Sequence, residues 1–282
     1  MNDKKTEKII LDALNEDLLP NGDITSDALI SENKKSKFNL ITNENAIVSG
    51  IEVFKKCFLL INKNILIKNN FNDGDEIKKG QIVVSLFGNT KAILKSERTA
   101  LNFICHLSGI STITKTIVDL IKTTNTELLD TRKTMPNLRL FEKNAVLAGG
   151  GKNHRFNLSS MVLIKDNHID NYGSVSKAIN KIKAKYKKKY KIEVEVRNIT
   201  ELKEAISLKP NIIMFDNWRV NELKEALKLV PSNIKTEVSG QISIDNVKDY
   251  AECGINFIST SYMIKNARWI DFSLEAERHN EI

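Results

Sequence analysis

The chain has 282 residues, 41 % of them apolar and 28 % charged, and a formal net charge of +8. That length supplies core for one large domain or two modest ones, and three cysteines (Cys57, Cys105, Cys253) without a CxxC spacing argue against a disulfide framework or a cysteine-bound zinc. Seven lysines and no acid lie between Lys181 and Lys191, and without them the balance falls to +1, so the basic excess reads as one solvated helix face rather than a nucleic-acid track.

The N-terminal stretch "MNDKKTEKIILDALNEDLL" predicts an amphipathic helix and offers neither a signal-peptide core nor a cleavage site. No apolar run approaches ~18 residues, so the expectation is a cytoplasmic protein with reduced thiols and no membrane or nucleic-acid partner. After the turn "NGDITSD" (21–27), "KFNLITNENAIVSG" reads as strands and 51–61 as a helix. In "NDGDEIKKGQIVVSLFGN" (72–89), Asp73-Gly74 and Lys79-Gly80 flank the alternating "QIVVSL", which predicts antiparallel hairpins. This part reads as a sheet with helices against one side.

From Glu97 the apolar spacing becomes three and four, predicting a long helix to about residue 122 that Gly109 could break. Strand candidates then alternate with helical patterns: 127–132, 161–167, 192–196, 211–217, 234–240 and 255–261. Such alternation implies βα units and a parallel sheet, either closing toward a barrel or doubly wound. The strand ends favour the barrel: Arg132 and Lys133, Lys165, Glu195, Asp216, Ser239, Ser259 and Ser261 follow apolar strand bodies, and a parallel barrel gathers those ends at one mouth.

Each of these residues has an ordinary reading alone. The basic pair could face solvent, Glu195 could be a salt-bridge partner, Asp216 a helix cap, "GGGKNHR" (149–155) a flexible turn, and His154 structural. Together, Arg132, Lys133, His154, Arg155 and Lys165 facing Glu195 and Asp216 would be costly to desolvate without a strongly negative ligand. Arginine forks suit carboxylates and phosphates, and lysine suits pyrophosphate. The two acids then serve sugar hydroxyls or a magnesium ion riding on phosphates.

The segments "EDLLPNGDITS" (16–26), "ERTALNF" (97–103), "DTRKTMPNLRLFEKNAVLAGGGKNHR" (130–155), "MVLIKDNHI" (161–169), "EVEV" (193–196), "MFDN" (214–217) and "EVSG" (237–240), in this order, resemble the motif series of the quinolinate phosphoribosyltransferases, also called carboxylating nicotinate-nucleotide pyrophosphorylases. The resemblance implies an α/β fold: an N-terminal α/β sandwich domain (1–103, with the tail 270–282 packing back on it) and an open, incomplete parallel α/β barrel (104–269). It implies a pentosyltransferase that joins quinolinate to phosphoribosyl pyrophosphate with Mg2+, releasing nicotinate mononucleotide, carbon dioxide and pyrophosphate for NAD biosynthesis. It also implies a homodimer in which Arg98 enters the neighbouring subunit's mouth.

Carried over residue by residue, the resemblance assigns Arg98, Thr131, Arg132, Lys133, His154, Arg155 and Lys165 to the quinolinate carboxylates and departing pyrophosphate. It assigns Glu195 and Asp216 to the ribose hydroxyls and, through the substrate phosphates, to magnesium, and Ser239, Gly240 and Ser261 to the 5′-phosphate. Lys133, Lys165, Glu195 and Asp216 form the expected catalytic set. The chain departs from the family at "SGQ" (239–241), where a second glycine is usual, and at "STSYMIKN" (259–266), where a glycine-containing turn and Thr-His-Ser are usual. Arg197 has no assignment. The rival readings are a paralogous phosphoribosyltransferase with another anionic acceptor, and a non-catalytic anion-binding barrel.

Overall fold

The computed structural model describes residues 3–277. In chain order its elements begin α1 (Asp3–Leu18), α2 (Ile24–Leu29), β1 (Lys35–Thr42), β2 (Ala46–Ile47), α3 (Ile51–Ile61), β3 (Leu66–Asn69), β4 (Glu76–Ile77), β5 (Ile82–Asn89) and α4 (Thr90–Ile121). They continue β6 (Glu127–Leu129), α5 (Arg139–Ala148), β7 (Val162–Ile164), α6 (Asp166–Tyr172), α7 (Val175–Tyr186), β8 (Ile192–Val196) and α8 (Ile199–Ser207). The last are β9 (Ile212–Asp216), α9 (Val220–Leu227), β10 (Lys235–Ser239), α10 (Val247–Ala251), β11 (Phe257–Ser259), α11 (Tyr262–Lys265) and β12 (Phe272–Ala276). Two compact units result: Met1–Lys115 with Met135–Gly150 and Asn266–Ile282, and Thr116–Thr134 with Gly151–Lys265. A cut at 103/104 falls inside α4.

In the first unit an antiparallel sheet runs in the order β12-β1-β5-β3. The tail strand β12 lies against β1, pairing Phe38 with Ala276 and Thr42 with Phe272. The stretch 72–89 is not a simple hairpin: β5 pairs with β1 and β3, while β4 pairs with β2. Asp73 and Gly74 form the turn read from sequence, and Asp73 also accepts the N–H groups of Gly50 and Ile51 at 3.0 Å and so caps α3. The apolar side of α3 then buries Phe54 and Phe58, edge to face at 5.0 Å.

Helix α4 begins at Thr90, earlier than its sequence pattern indicated, and runs unbroken through Gly109. Gly109 is there for space rather than to stop the helix, since a Cβ would stand 2.1 Å from the carbonyl oxygen of Arg268. Gly109→Ala, normally stabilising in a helix, should therefore lower stability by about 1–3 kcal/mol, read from urea unfolding midpoints. By length and composition α4 could cross a membrane, but just over half of its most apolar window is buried in the fold. Ile93, Ile104 and Ile110 are fully buried there.

The second unit is built on a six-stranded, all-parallel sheet ordered β6-β11-β10-β9-β8-β7. β6 and β7 are its edges, so the barrel is open, as expected. Intervening helices present single apolar stripes, such as Leu223 and Ala226 of α9 and Leu202 and Ala205 of α8, all fully buried. The lysine run belongs to α7 and the turn after it, where Lys185 and Lys189 lie over the rings of Tyr186 and Tyr190 and Lys183 donates to the Leu208 carbonyl.

Candidate active site

All five residues of β8, "IEVEV", are buried, yet two are glutamates. Alternation along a strand puts Glu193 and Glu195 on one face. Register then carries that face across the sheet, because Glu195 pairs with Met214, Met214 with Glu237, and Asp216 with Ser239, which pairs with Ser259. Asp216, Ser239 and Ser259 therefore form a polar row at the C-terminal ends of three neighbouring strands. This row is where a parallel barrel places its chemistry.

Beside the row, Lys165 closes β7 and reaches Glu195, with Nζ 2.6 Å from Oε2. The lysine is 45 % exposed while the Glu195 side chain is only 4 % exposed, so this ion pair is open on its cationic side. Burial raises the Glu195 pKa and the Asp216 charge adds to the rise, against the lowering effect of Lys165. The backbone N–H of Lys165 donates to His168 Nδ1 at 2.9 Å, which fixes the strand-to-helix corner. His168 belongs to the "MVLIKDNHI" segment, but nothing in its spacing announced this task.

The apolar-to-basic change at "LLDTRK" meets "GGGKNHR" along the open edge. Lys152 forms a parallel bridge with Leu129, donating to the Leu128 carbonyl at 2.8 Å and accepting from the Asp130 N–H at 3.0 Å. The glycines are thus not a phosphate cradle: Gly149 ends α5, and a Cβ on it would meet the Ser111 oxygen at 2.4 Å. Past the glycines the chain runs beside β6 like a further strand, and the fully buried Asp130 accepts the His154 N–H through Oδ1 at 2.8 Å. Arg155 is thereby brought near Arg132. Burial and the Arg132 charge both lower the Arg155 pKa, the signature of two guanidiniums sharing a site that suits a multivalent anion.

Sequence reasoning passed over Glu193 and Glu237. Both side chains are fully buried and converge on His154, whose Nε2 lies 3.0 Å from Glu193 Oε2 and 3.5 Å from Glu237 Oε2. Burial opposes a charged His154, while the hydrogen bonds and charges of the two acids favour it. Burial, then the Glu237 charge, push Glu193 up to about 7. His154 Nδ1 meanwhile accepts the Arg155 N–H at 2.7 Å, which requires a lone pair there.

The raised Glu193 gives the pH effect its sign: it favours the fold less as pH climbs from 4.5 toward 7. Urea midpoints should decline from pH 5 to 7, and Glu237→Gln, which removes the neighbouring charge, should flatten that decline.

At the end of β10, Ser239 Oγ donates to the Ser259 carbonyl at 3.3 Å and the Ser239 carbonyl accepts the Asn217 N–H at 2.9 Å. Gly240 has φ +100°, and a Cβ on it would fall 2.2 Å from Asn217 Oδ1. Gln241 comes next at φ +50°, in the left-handed region that glycine favours. Gly240→Ala should lower stability by about 1–3 kcal/mol, read from urea unfolding midpoints. Ser261 begins α11, accepting the Ile264 and Lys265 N–H groups through its carbonyl.

The remaining predicted residues are less gathered. Thr131 Oγ1 accepts the Lys133 N–H at 3.0 Å, and Lys133 is exposed. Arg98 is exposed on α4 in the first unit. Arg197 forms surface ion pairs, at 2.8 Å to Asp170 and 2.6 Å to Glu201, that tie α6 to α8.

Residues 23–108 match the family profile described as quinolinate phosphoribosyl transferase, N-terminal domain, and residues 110–275 match the corresponding C-terminal domain. A probable carboxylating nicotinate-nucleotide pyrophosphorylase of Bacillus subtilis is 36 % identical over 281 residues, spanning 100 % of this chain and 96 % of its own. One of the same name from Methanocaldococcus jannaschii is 40 % identical over 267 residues, 92 % of this chain and 93 % of its own. The solved nicotinate-nucleotide pyrophosphorylase of Francisella tularensis superposes with a TM-score of 0.93 at 36 % identity, over 98 % of each chain. The acid-and-lysine face of an open parallel barrel and these full-length matches agree: the chain belongs to the quinolinate phosphoribosyltransferase family.

Proposed function

We propose that the chain transfers phosphoribose from phosphoribosyl pyrophosphate to the ring nitrogen of quinolinate, with loss of the 2-carboxylate, giving nicotinate mononucleotide, carbon dioxide and pyrophosphate for NAD biosynthesis. The observation that carries this is the pairing of buried Glu195 with exposed-side Lys165 beside Asp216, in a sheet whose other edge brings Arg132 and Arg155 together. An anion store needs only the cations. The acids add a partner for ribose hydroxyls and for positive charge developing at the anomeric carbon.

In this reading Arg132, Arg155 and His154 hold the two quinolinate carboxylates, assisted by Arg98 and Thr131. Lys133 and Lys165 take the departing pyrophosphate. Ser239, Gly240 and Ser261 hold the 5′-phosphate. Placement of the ring nitrogen against the anomeric carbon supplies much of the rate. Transfer precedes decarboxylation, because ribosylation makes the nitrogen cationic and so stabilises the carbanion left at C2, which then takes up a proton. The hard carboxylate oxygens of Glu195 and Asp216 suit Mg2+, which would neutralise charge on the leaving pyrophosphate.

The protein works as a cytoplasmic homodimer, each barrel receiving Arg98 from the neighbouring subunit. Its three thiols are free, and burial pushes Cys57 up to about 12, far from reactivity. The decisive assay combines protein, Mg2+, phosphoribosyl pyrophosphate and either quinolinate or nicotinate. Nicotinate mononucleotide detected by mass from quinolinate alone is the expected result. Product from neither acid, with phosphoribosyl pyrophosphate still bound, would replace this reading with that of a paralogue.

A further inference from the structure

The buried acids around His154 take no direct part in the transfer or the decarboxylation. Glu193 and Glu237 are both 0 % exposed. None of their four carboxylate oxygens meets full hydrogen-bond geometry, and each acid lies within 3.5 Å of His154 Nε2. Two carboxylates placed this way are costly to desolvate, and apolar residues of similar size would pack the barrel interior more favourably. An arrangement so unfavourable to stability calls for another reason.

His154 supplies it. Its backbone N–H donates to Asp130 Oδ1 at 2.8 Å, its Nδ1 accepts the Arg155 N–H at 2.7 Å, and its Nε2 faces the two acids at 3.0 and 3.5 Å. Arg155, the next residue, is tied through the same contact, and its guanidinium donates to the Met161 carbonyl at 3.2 Å.

The three side chains also have the composition of a cation site, with ligand atoms within 4.8 Å of one another. The ring argues otherwise. A neutral imidazole has one lone pair, and here Nδ1 uses it to accept the Arg155 N–H. Nε2 then carries hydrogen and faces the acids as a donor, not as a metal ligand.

We infer that Glu193 and Glu237 are positioning residues for the reaction: they orient the His154 ring, and through it the adjoining Arg155, whose guanidinium receives a quinolinate carboxylate. The inference rests on the quinolinate-binding role proposed for His154 and Arg155. It gives the two acids a task in binding quinolinate and none in binding phosphoribosyl pyrophosphate.

The test is a double-mutant cycle on the full-length protein, with Glu193→Gln, Glu237→Gln, His154→Ala and the His154→Ala/Glu237→Gln pair. Glutamine keeps the shape of each acid and removes its charge. Each single variant should raise the KM for quinolinate about tenfold or more and leave the KM for phosphoribosyl pyrophosphate unchanged. Their melting temperatures should be unchanged or higher for the glutamine variants, since a buried charge is lost. On the His154→Ala background, Glu237→Gln should change kinetics no further.

Losses that multiply in the pair, or activity that falls only in step with melting temperature, would reduce the acids to structural parts and overturn the inference. A stoichiometric metal in the wild-type protein that His154→Ala removes would also overturn it. Unchanged quinolinate kinetics in His154→Ala would instead remove the role assigned to His154, and the inference with it.

Discussion

Lys165→Met should lower kcat by about 10²–10³-fold, the loss typical of one preorganised electrostatic group. The expectation comes from the asymmetry of its ion pair, in which Glu195 is enclosed and the lysine faces outward. Removing the lysine deletes charge that would meet pyrophosphate and strands a carboxylate whose pKa burial already raises. Glu195 would then hold its proton to higher pH. The variant should therefore lose most stability relative to wild type in alkaline solution, where the unfolded chain ionises this group freely, and least near pH 5. Single-turnover rates and urea midpoints at two pH values measure both effects. A kcat within about threefold of wild type would remove Lys165 from the catalytic set.

The second large effect concerns Arg98. Arg98→Ala should abolish most activity, yet mixing it with Lys165→Met protein under conditions of subunit exchange should restore about a quarter of the wild-type rate, because half of the randomly formed dimers hold one intact site of two. This outcome needs Arg98 to act in trans. Its exposure on α4 within the first unit is compatible with such use. Proven exchange, followed by mass spectrometry of labelled subunits, without recovery would place each site within one chain.

The family itself was legible from residue order. Short apolar strands ending in Lys165, Glu195, Asp216 and Ser239 specify both the parallel sheet and which end of it carries chemistry, since a two-residue period and a strand's direction are local properties. Gly109 was misread as a break, and the capping role of the turn residue Asp73 went unseen, because the decisive partners, the Arg268 carbonyl and the first N–H groups of α3, come from far along the chain or from another element.

What sequence alone determined, then, is the run of alternating elements, the surface character of the lysine stretch and the identity of the charged strand ends. Only the folded chain decided which of those ends meet. The bridge from Lys152 to Leu129 sets "GGGKNHR" against "DTRK", and strand register turns Glu193 and Glu237 inward onto His154. Spacing along a chain encodes which face a side chain occupies, whereas encounters between faces depend on sheet order and closure, which no single segment contains.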